Sequence, residues 1–326
     1  SAKRYVINFF DWSLEKCKKE YPQLLEVVKE NVKSQRDKVK RKTYREKWWL
    51  YAEKAVNLYN AITNMKNVIL IPTQATKYVS FSIVNSKSVF SNALAVFSSE
   101  KYLDFALLSS ILHNEWIWKY CSTMRSAGVR YSPTIGYYTF PFPQNLSQEM
   151  EEKLEAIGEE YHEFRKELMQ KVQLGLTKTY NQFHNQDLRE LSDDELDTID
   201  TLSSKDFQKK YDKETYNLYK HLDKTPKACG FNESVEGIFK LRELHKEMDE
   251  LVLEAYGWTD VKLKHNFYEV DYLPENDRVR YTIHPDARRE ILERLLLLNH
   301  EIHEEEVKAG LWDKKAMGTV NPMNYK

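Results

Sequence analysis

Two arginines, Arg125 and Arg130, lie in the segment whose residue types best suit a binding site, Trp116 to Pro143. Small polar residues surround them, a predicted helix ends just before them near Cys121, and the segment closes on Phe140-Pro141-Phe142-Pro143. A planar guanidinium presented from a loop can donate paired hydrogen bonds to a guanine edge or to a phosphate. The segment therefore predicts a nucleic-acid contact, although most loop arginines are merely solvated.

Charge is unevenly distributed along the chain. The 326 residues carry a net charge of -1, but residues 1–145 contain 22 Lys and Arg against 11 Asp and Glu, a net +11, so the remainder has a net -12. A basic part beside an acidic part is typical of a protein whose basic part meets a polyanion. The alternative is a chance distribution of solvated charge.

A basic run lies within the first predicted helix, Leu14 to about Tyr59. The stretch from Lys33 to Lys47 contains eight Lys and Arg against two acidic residues, and Trp48 and Trp49 follow it. Such a run can be a solvated helix face or a clamp on DNA phosphates, which positions the duplex without reading it. Neighbours on a helix cannot share a face, so we expect one tryptophan to pack inward and the other to cover the domain surface. The alternative is that one of the two rings stacks on a DNA base.

Hydrophobic periodicity predicts an α+β fold that is mainly α. Alternation from Val79 to Ile83, a turn at Asn85-Ser86 and apolar runs at Val68–Ile71 and Leu94–Val96 predict a small antiparallel sheet with one buried face. A helix is expected to begin at Ser98 or Ser99 and to end just before the two arginines. Past Pro143 everything is predicted helical, with apolar stripes that begin at Ser147, near Val235 and at Pro285.

The predicted domains are residues 1–143, basic and α+β, and residues 144–326, acidic and helical. Three widely spaced cysteines favour a reducing, cytoplasmic setting, and the longest apolar runs are far too short for a membrane span. The chain lacks a starting Met, so we expect it to be a piece of a longer polypeptide.

Motifs for catalysis are absent from the sequence. With only nine glycines it has neither a P-loop nor a GxGxxG element, and its Asn321-Pro322 is followed by Met323 rather than by the Pro-Tyr of base methyltransferases. Asp286 and Lys308 fit a loose nuclease pattern, but they lie on one predicted helix about 30 Å apart. His300 and His303 imply no third ligand, so no metal site is predicted.

Seven segments together carry a resemblance to a known family, in order and over nearly the whole chain: RYVINFFDW, REKWWLYAEK, FALLSSILHNEW, RYSPTIGYYTFPFP, GLTKTYNQFHN, LRELHKEMDELVLEAYGW and RREILERLLLLNHEIHEEEVKAGL. They resemble the C-terminal part of single-chain type II restriction-modification enzymes and related adenine-specific DNA methyltransferases. In that family a nuclease, an adenine-N6 methyltransferase and a target recognition domain share one polypeptide. The stretch from about residue 187 to 240 is longer than the family pattern, which suggests an insertion of short surface helices and loops.

The resemblance implies that residues 1–143 form a DNA target recognition domain supported by the helical remainder. The base-reading residues would then lie in and near the loop before the Phe-Pro-Phe-Pro stop and on the adjoining sheet: Lys77, Arg125, Ser126, Arg130, Tyr131 and Ser132. We assign the phosphate contacts to the basic run: Lys38, Lys40, Arg41, Lys42 and Arg45.

The favoured hypothesis is therefore a sequence-specific double-stranded DNA recognition module, without a catalytic centre or cofactor of its own. The resemblance implies that S-adenosylmethionine, and Mg²⁺ for a nuclease, would bind to the missing domains of the parent enzyme. The parent would be a prokaryotic defence enzyme, and its methyltransferase domain would be the second partner of this chain. The alternative is a helical scaffold that docks the other domains of a larger enzyme. A self-contained nuclease is a third hypothesis, and it predicts Mg²⁺-dependent cleavage.

Overall fold

A computed structural model describes residues 5–74, 76–124, 128–199 and 201–312, without the side chain of Asn276. The N-terminal part contains helices α1 (Leu14–Glu20), α2 (Pro22–Val28), α3 (Ser34–Asp37), α4 (Lys42–Glu46) and α5 (Val56–Ala61), strands β1 (Asn67–Pro72), β2 (Ser82–Asn85) and β3 (Leu94–Phe97), and helices α6 (Tyr102–Ser109) and α7 (Ile111–Tyr120). The remainder contains α8 (Gln148–Val172), α9 (Leu176–Phe183), α10 (Asp193–Ile199), α11 (Ser204–Lys210), α12 (Lys213–Asp223), α13 (Phe231–Ala255), β4 (Asn266–Glu269), β5 (Val279–Thr282) and α14 (Pro285–Lys308). The predicted fold class, α+β and mainly α, is confirmed.

The first helical region is not one helix. The backbone leaves the α conformation at Tyr21 and restarts at Pro22, whose ring favours the first helical position; a π-helical turn joins α2 to α3, and the chain then runs through a loop into α4. A small separate core holds this region together, with Phe9, Cys17, Leu25, Trp48 and Leu50 buried. Trp48 is buried, while the half-buried Trp49 donates its indole N–H to the carbonyl of Trp12, so the expected split between the two rings is confirmed.

The predicted antiparallel sheet is confirmed, with strand order β2-β1-β3. Ile69 pairs with Ile83 on one side and with Phe97 on the other. Since the successive residues Val68 and Ile69 are both fully buried, the central strand is covered on both faces, not on one as predicted.

The helix that precedes the arginine segment breaks at Ser110, where the backbone turns extended. The Ser110 hydroxyl caps α7 by accepting from the amide of His113, and the buried carboxylate of Asp249 accepts the amide of Ile111. Negative charge at this helix start is favoured by the helix dipole. The helix α7 ends at Tyr120 with Cys121 as its cap, next to the residue at which the sequence predicts its end.

Both halves of the chain share one interior. One core cluster includes Ile71 and Phe105 together with Tyr161 and Leu241, and a second includes Leu112 together with Leu154 and Ile291. Arg165 of α8 reinforces the contact, since its buried guanidinium donates to the Ser80 hydroxyl, the Phe81 carbonyl and the Tyr180 hydroxyl. The sheet and α7 are thus fixed to the helices α8 and α13.

The long helices beyond Pro143 begin and end close to where the sequence predicts: Ser147 caps α8, Gly257 follows α13 with φ +73°, and Gly310 follows α14 with φ +72°. The prediction that this part is entirely helical is wrong, because β4 and β5 form an antiparallel hairpin in which Phe267 pairs with Tyr281. Among the described residues, no helix has the length and apolar character needed to cross a bilayer.

Candidate nucleic-acid interface

A hairpin follows α7 and carries the arginine segment. The amide of Met124 donates to the carbonyl of Gly128 over 2.9 Å, and the amide of Arg130 donates to the carbonyl of Ser122 over 2.8 Å. These two bonds define the 122–130 hairpin, of which residues 125–127 lie outside the described residues. Two of the predicted base-reading residues, Arg125 and Ser126, are among those three.

The hairpin is fixed to the segment that follows β1. Thr76 and Val129 exchange both backbone hydrogen bonds, at 3.0 and 3.1 Å, and Val129 is fully buried. The pairing depends on Gly128, whose φ of +110° is strained for any side chain and whose missing Cβ would lie 1.9 Å from the Thr76 carbonyl oxygen. The close backbone approach at this glycine places the hairpin beside Lys77.

The other predicted base-reading residues near the hairpin, Arg130, Tyr131 and Ser132, differ in their exposure to solvent. Arg130 is exposed and Ser132 is half-buried. Tyr131 is only 2% exposed; its ring meets Phe81 and Phe97 edge-on and its hydroxyl lies 3.3 Å from His113 Nε2. Tyr131 therefore packs beneath the hairpin and is not accessible to a base, so its prediction as a base-reading residue is wrong.

Burial keeps this support uncharged. It raises the pKa of Tyr131 well above its ordinary value and lowers the pKa of His113 to about 3. Both groups are therefore neutral near pH 7, so among the described residues of the hairpin and its neighbour strand segment the positive charge comes from Arg130 and Lys77.

Lys77 faces the helical half of the chain. Its ammonium lies 3.2 Å from Asp277 Oδ1, in the turn before β5, and 3.3 Å from Asn181 Oδ1 on α9. The side chain remains about one-third exposed. The prediction that Lys77 lies on the sheet is wrong, because it lies in a bend between β1 and β2. The structure does bring it to the hairpin, but nothing in the sequence pairs it with residues 100 to 200 positions away.

The predicted phosphate-binding residues fall into two groups. Arg45 donates to the carbonyls of Val39 and Lys40, both at 2.7 Å, and so shapes the loop before α4. Arg41 donates to the Tyr44 hydroxyl and lies 3.6 Å from Glu53, and Lys42 lies 3.6 Å from Glu46. Lys38 and Lys40 are exposed, and no described acidic side chain pairs with either. Of the five predicted phosphate-binding residues, these two lysines are the ones whose side chains no described hydrogen bond or ion pair holds.

The described side chains do not form a metal-binding group. Among residues 5–74, 76–124, 128–199 and 201–312, no group of three or more His, Cys, Asp or Glu side chains is placed to hold an ion. The residues of the loose nuclease pattern lie at opposite ends of one helix, Pro285–Lys308, as the sequence predicts. His303 packs edge-on against Trp312 instead.

One protein-family model matches the N-terminal part of the chain. Residues 1–144 match the family described as "MmeI, target recognition domain". The resemblance to type II restriction-modification enzymes is thereby confirmed for these residues, which contain both the basic run and the 122–130 hairpin. The match ends directly after the Phe-Pro-Phe-Pro stop.

A solved structure of the type IIL restriction-modification enzyme MmeI in complex with DNA is also similar, at 14% sequence identity and a TM-score of 0.49. The similarity covers 90% of this chain but 28% of that enzyme, so the chain spans less than a third of its length. The search of curated proteins found no significant match.

Proposed function

We propose that this chain is the sequence-specific DNA recognition part of a restriction-modification enzyme whose missing domains methylate adenine at N6. The match of residues 1–144 to the MmeI target recognition domain is the observation that carries the proposal. The hairpin supports it, because the backbone pairing of Val129 with Thr76 fixes the hairpin and leaves the next residue, Arg130, exposed.

Recognition is divided between two kinds of contact. The exposed lysines of the basic run bind phosphates, and these contacts supply affinity that is independent of sequence and sensitive to salt. Arg125 and Arg130 reach base edges in the major groove, where a guanidinium donates two hydrogen bonds to guanine O6 and N7. Sequence preference would then reside in a few side chains held on a stiff backbone.

The methylation chemistry belongs to other domains of the parent. Both strand-to-helix connections in the described parts of the chain, 98–101 and 283–284, lack glycine, so they do not fit the Gly-rich loop that holds a cofactor such as S-adenosylmethionine. Within this proposal the chain has no catalytic centre, its partners are double-stranded DNA and the parent's N-terminal methyltransferase domain, and any Mg²⁺ would serve a nuclease elsewhere. A restriction-modification enzyme acts where prokaryotic DNA is, so we assign the protein to the cytoplasm.

A salt titration with a mixed-sequence duplex tests the proposal against the scaffold hypothesis. A protein that neutralises phosphates loses affinity steeply between about 50 and 200 mM salt, with a log–log slope of about -0.9 for each phosphate contact. We expect such a slope for the 326-residue chain. Absence of binding at low salt would favour a scaffold instead, and Mg²⁺-dependent cleavage of the duplex would revive the nuclease hypothesis.

Lys40→Ala is expected to weaken binding to all duplexes equally. The side chain is exposed without a described acidic partner, so its loss should reduce the salt slope by about one unit without changing which sequence is preferred. Competition assays at several salt concentrations measure both quantities. Lys227→Ala, an exposed lysine of the acidic half, is the matched control and should leave the slope unchanged; a change in sequence preference for Lys40→Ala would contradict the assignment.

Arg130→Ala is expected to change which sequence is preferred. Loss of a bidentate contact should reduce discrimination at one base pair by about 1–3 kcal/mol, and Arg125→Ala should act at a different base pair. Selection of bound duplexes from a randomised library, followed by competition on the selected site, measures this. Arg130→Lys keeps the charge but removes the planar fork, so it should behave like alanine for discrimination and like arginine for salt dependence. Equal losses on every duplex would demote Arg130 to a phosphate contact.

A further inference from the structure

Lys77 is held by both halves of the chain. Its backbone follows Thr76, which pairs with the 122–130 hairpin, while its ammonium contacts Asp277 at 3.2 Å and Asn181 at 3.3 Å in the helical half. Residues 181 and 277 lie outside the stretch that matches the target recognition domain. The surroundings of this predicted base-reading lysine are therefore built by a part of the protein to which that match assigns no role.

The residues that hold Lys77 are themselves immobilised. Arg280 Nη1 donates to Asp277 Oδ1 over 3.0 Å, and Arg280 Nη2 lies 2.7 Å from Asp277 Oδ2. The Tyr78 hydroxyl donates to Asn181 Oδ1 over 2.8 Å, and the guanidinium of Arg280 lies 5.6 Å from the centre of the Tyr78 ring. These five residues, Lys77, Tyr78, Asn181, Asp277 and Arg280, are called the Lys77 cluster below.

The contacts within the cluster restrict where the ammonium of Lys77 can be. A lysine side chain is a point charge on a flexible four-carbon stem, which by itself discriminates poorly between acceptors. An ammonium has three N–H donors; one of them is donated to Asn181 Oδ1, and the charge pairs with the carboxylate of Asp277 over 3.2 Å. The Lys77 side chain is 36% exposed, so the ammonium remains accessible to a ligand.

We propose that Asp277 is a positioning residue for sequence recognition: from the turn before β5 it fixes the ammonium of Lys77 beside the 122–130 hairpin, so that the helical half completes the base-reading surface. The proposal rests on the proposed DNA-recognition function and deepens it. A fixed donor beside the hairpin selects a base that offers a major-groove acceptor, such as guanine O6 or N7 or thymine O4. The free lysine would instead swing between base edges and phosphates.

Asp277→Asn in the full chain provides the test, with duplexes selected by the unaltered protein. We expect affinity for a mixed-sequence duplex to stay the same or to rise several-fold, because a negative charge near the DNA is removed. Discrimination between the selected site and a variant at the base pair read by Lys77 should fall about tenfold. Asp277→Glu keeps the carboxylate and should retain most of the discrimination. Asp197→Asn, on the exposed surface of α10, is the charge-matched control and should change neither quantity.

A thermodynamic cycle with Lys77→Gln separates positioning from general damage. Lys77→Gln leaves the pair of Asp277 with Arg280 in place, so it tests the lysine even where Asp277→Asn disturbs folding. If Asp277 acts through Lys77, the double variant loses no more discrimination than either single variant. Additive losses, or unchanged discrimination in Asp277→Asn, would overturn the positioning role and leave the proposed function standing. If the unaltered chain itself shows no discrimination, the proposed function fails.

Discussion

Replacing Gly128 with alanine is expected to release the 122–130 hairpin from Thr76 and to abolish sequence discrimination in a chain that remains folded. The new Cβ would lie 1.9 Å from the Thr76 carbonyl oxygen, 2.4 Å from its carbon and 2.9 Å from the Lys77 amide nitrogen. All three are backbone atoms, so no side-chain rotation relieves the overlap. The φ of +110° would add strain of about 1–3 kcal/mol for a residue other than glycine.

Hydrogen exchange at the Thr76 and Val129 amides measures the release directly, since each donates to the other's carbonyl. We expect both amides to lose protection in Gly128→Ala, and the affinity for a selected duplex to fall to that for a scrambled one. Gly230→Ala is the matched control, because a Cβ there meets nothing within 4 Å and the backbone is not strained. Native-like protection together with native discrimination in Gly128→Ala would contradict the role given to this glycine.

Glu115→Ala is expected to have the largest effect on stability, lowering the free energy of unfolding by about 3–5 kcal/mol. Glu115 lies on α7, the helix that leads into the hairpin, and is only 1% exposed. Its carboxylate lies 3.2 Å from Arg288 Nε on α14 and accepts from the Tyr272 hydroxyl at 3.2 Å. Burial raises the pKa of Glu115, and the nearby guanidinium of Arg288 offsets part of that rise. Removing the carboxylate leaves the guanidinium of Arg288 buried without its counter-charge.

Urea denaturation of three variants distinguishes this cause from simple loss of packing. Glu115→Ala and Arg288→Ala should each be strongly destabilised. The double variant Glu115→Leu with Arg288→Met replaces the pair by apolar side chains of similar size and should recover most of the lost stability, because an apolar pair avoids the desolvation cost of both charges. A double variant that is as unstable as the sum of the single variants would show that the ion pair is not what the site requires.

Local patterns in the sequence were sufficient for the three long helices beyond Pro143 and for the presence of the first sheet. The caps at Ser147 and Gly257 and the apolar runs of β1 and β3 are short-range signals, and the structure has these elements where the patterns predict them. The strand β2 begins at Ser82, three residues after the start of the alternation that predicted it. The β4–β5 hairpin was missed because its strands have four residues each and lie between two long helices, where the helical interpretation was extended across them. The break at Ser110 depends on Asp249, a partner 138 positions away.

The candidate site was predicted in part. The position of the arginine segment after α7 follows from the end of a helical pattern, and Arg130 is exposed there. The burial of Tyr131 could not be predicted, because it depends on Phe81, Phe97 and His113 from three other segments. The basic run shows the same limit. Arg45 is a residue type that commonly binds phosphate, but in the fold its guanidinium donates hydrogen bonds to backbone carbonyls of the loop before α4.

In the proposed function, side chains carried by the 122–130 hairpin read the DNA sequence. Selection of bound duplexes from a randomised library, with the full chain and with Arg130→Ala in parallel, tests it most directly. We expect the full chain to enrich one short site and Arg130→Ala to lose the preference at one base pair of that site while still binding DNA. A recovered pool as random as the input, or the same enriched site from both proteins, would contradict the account.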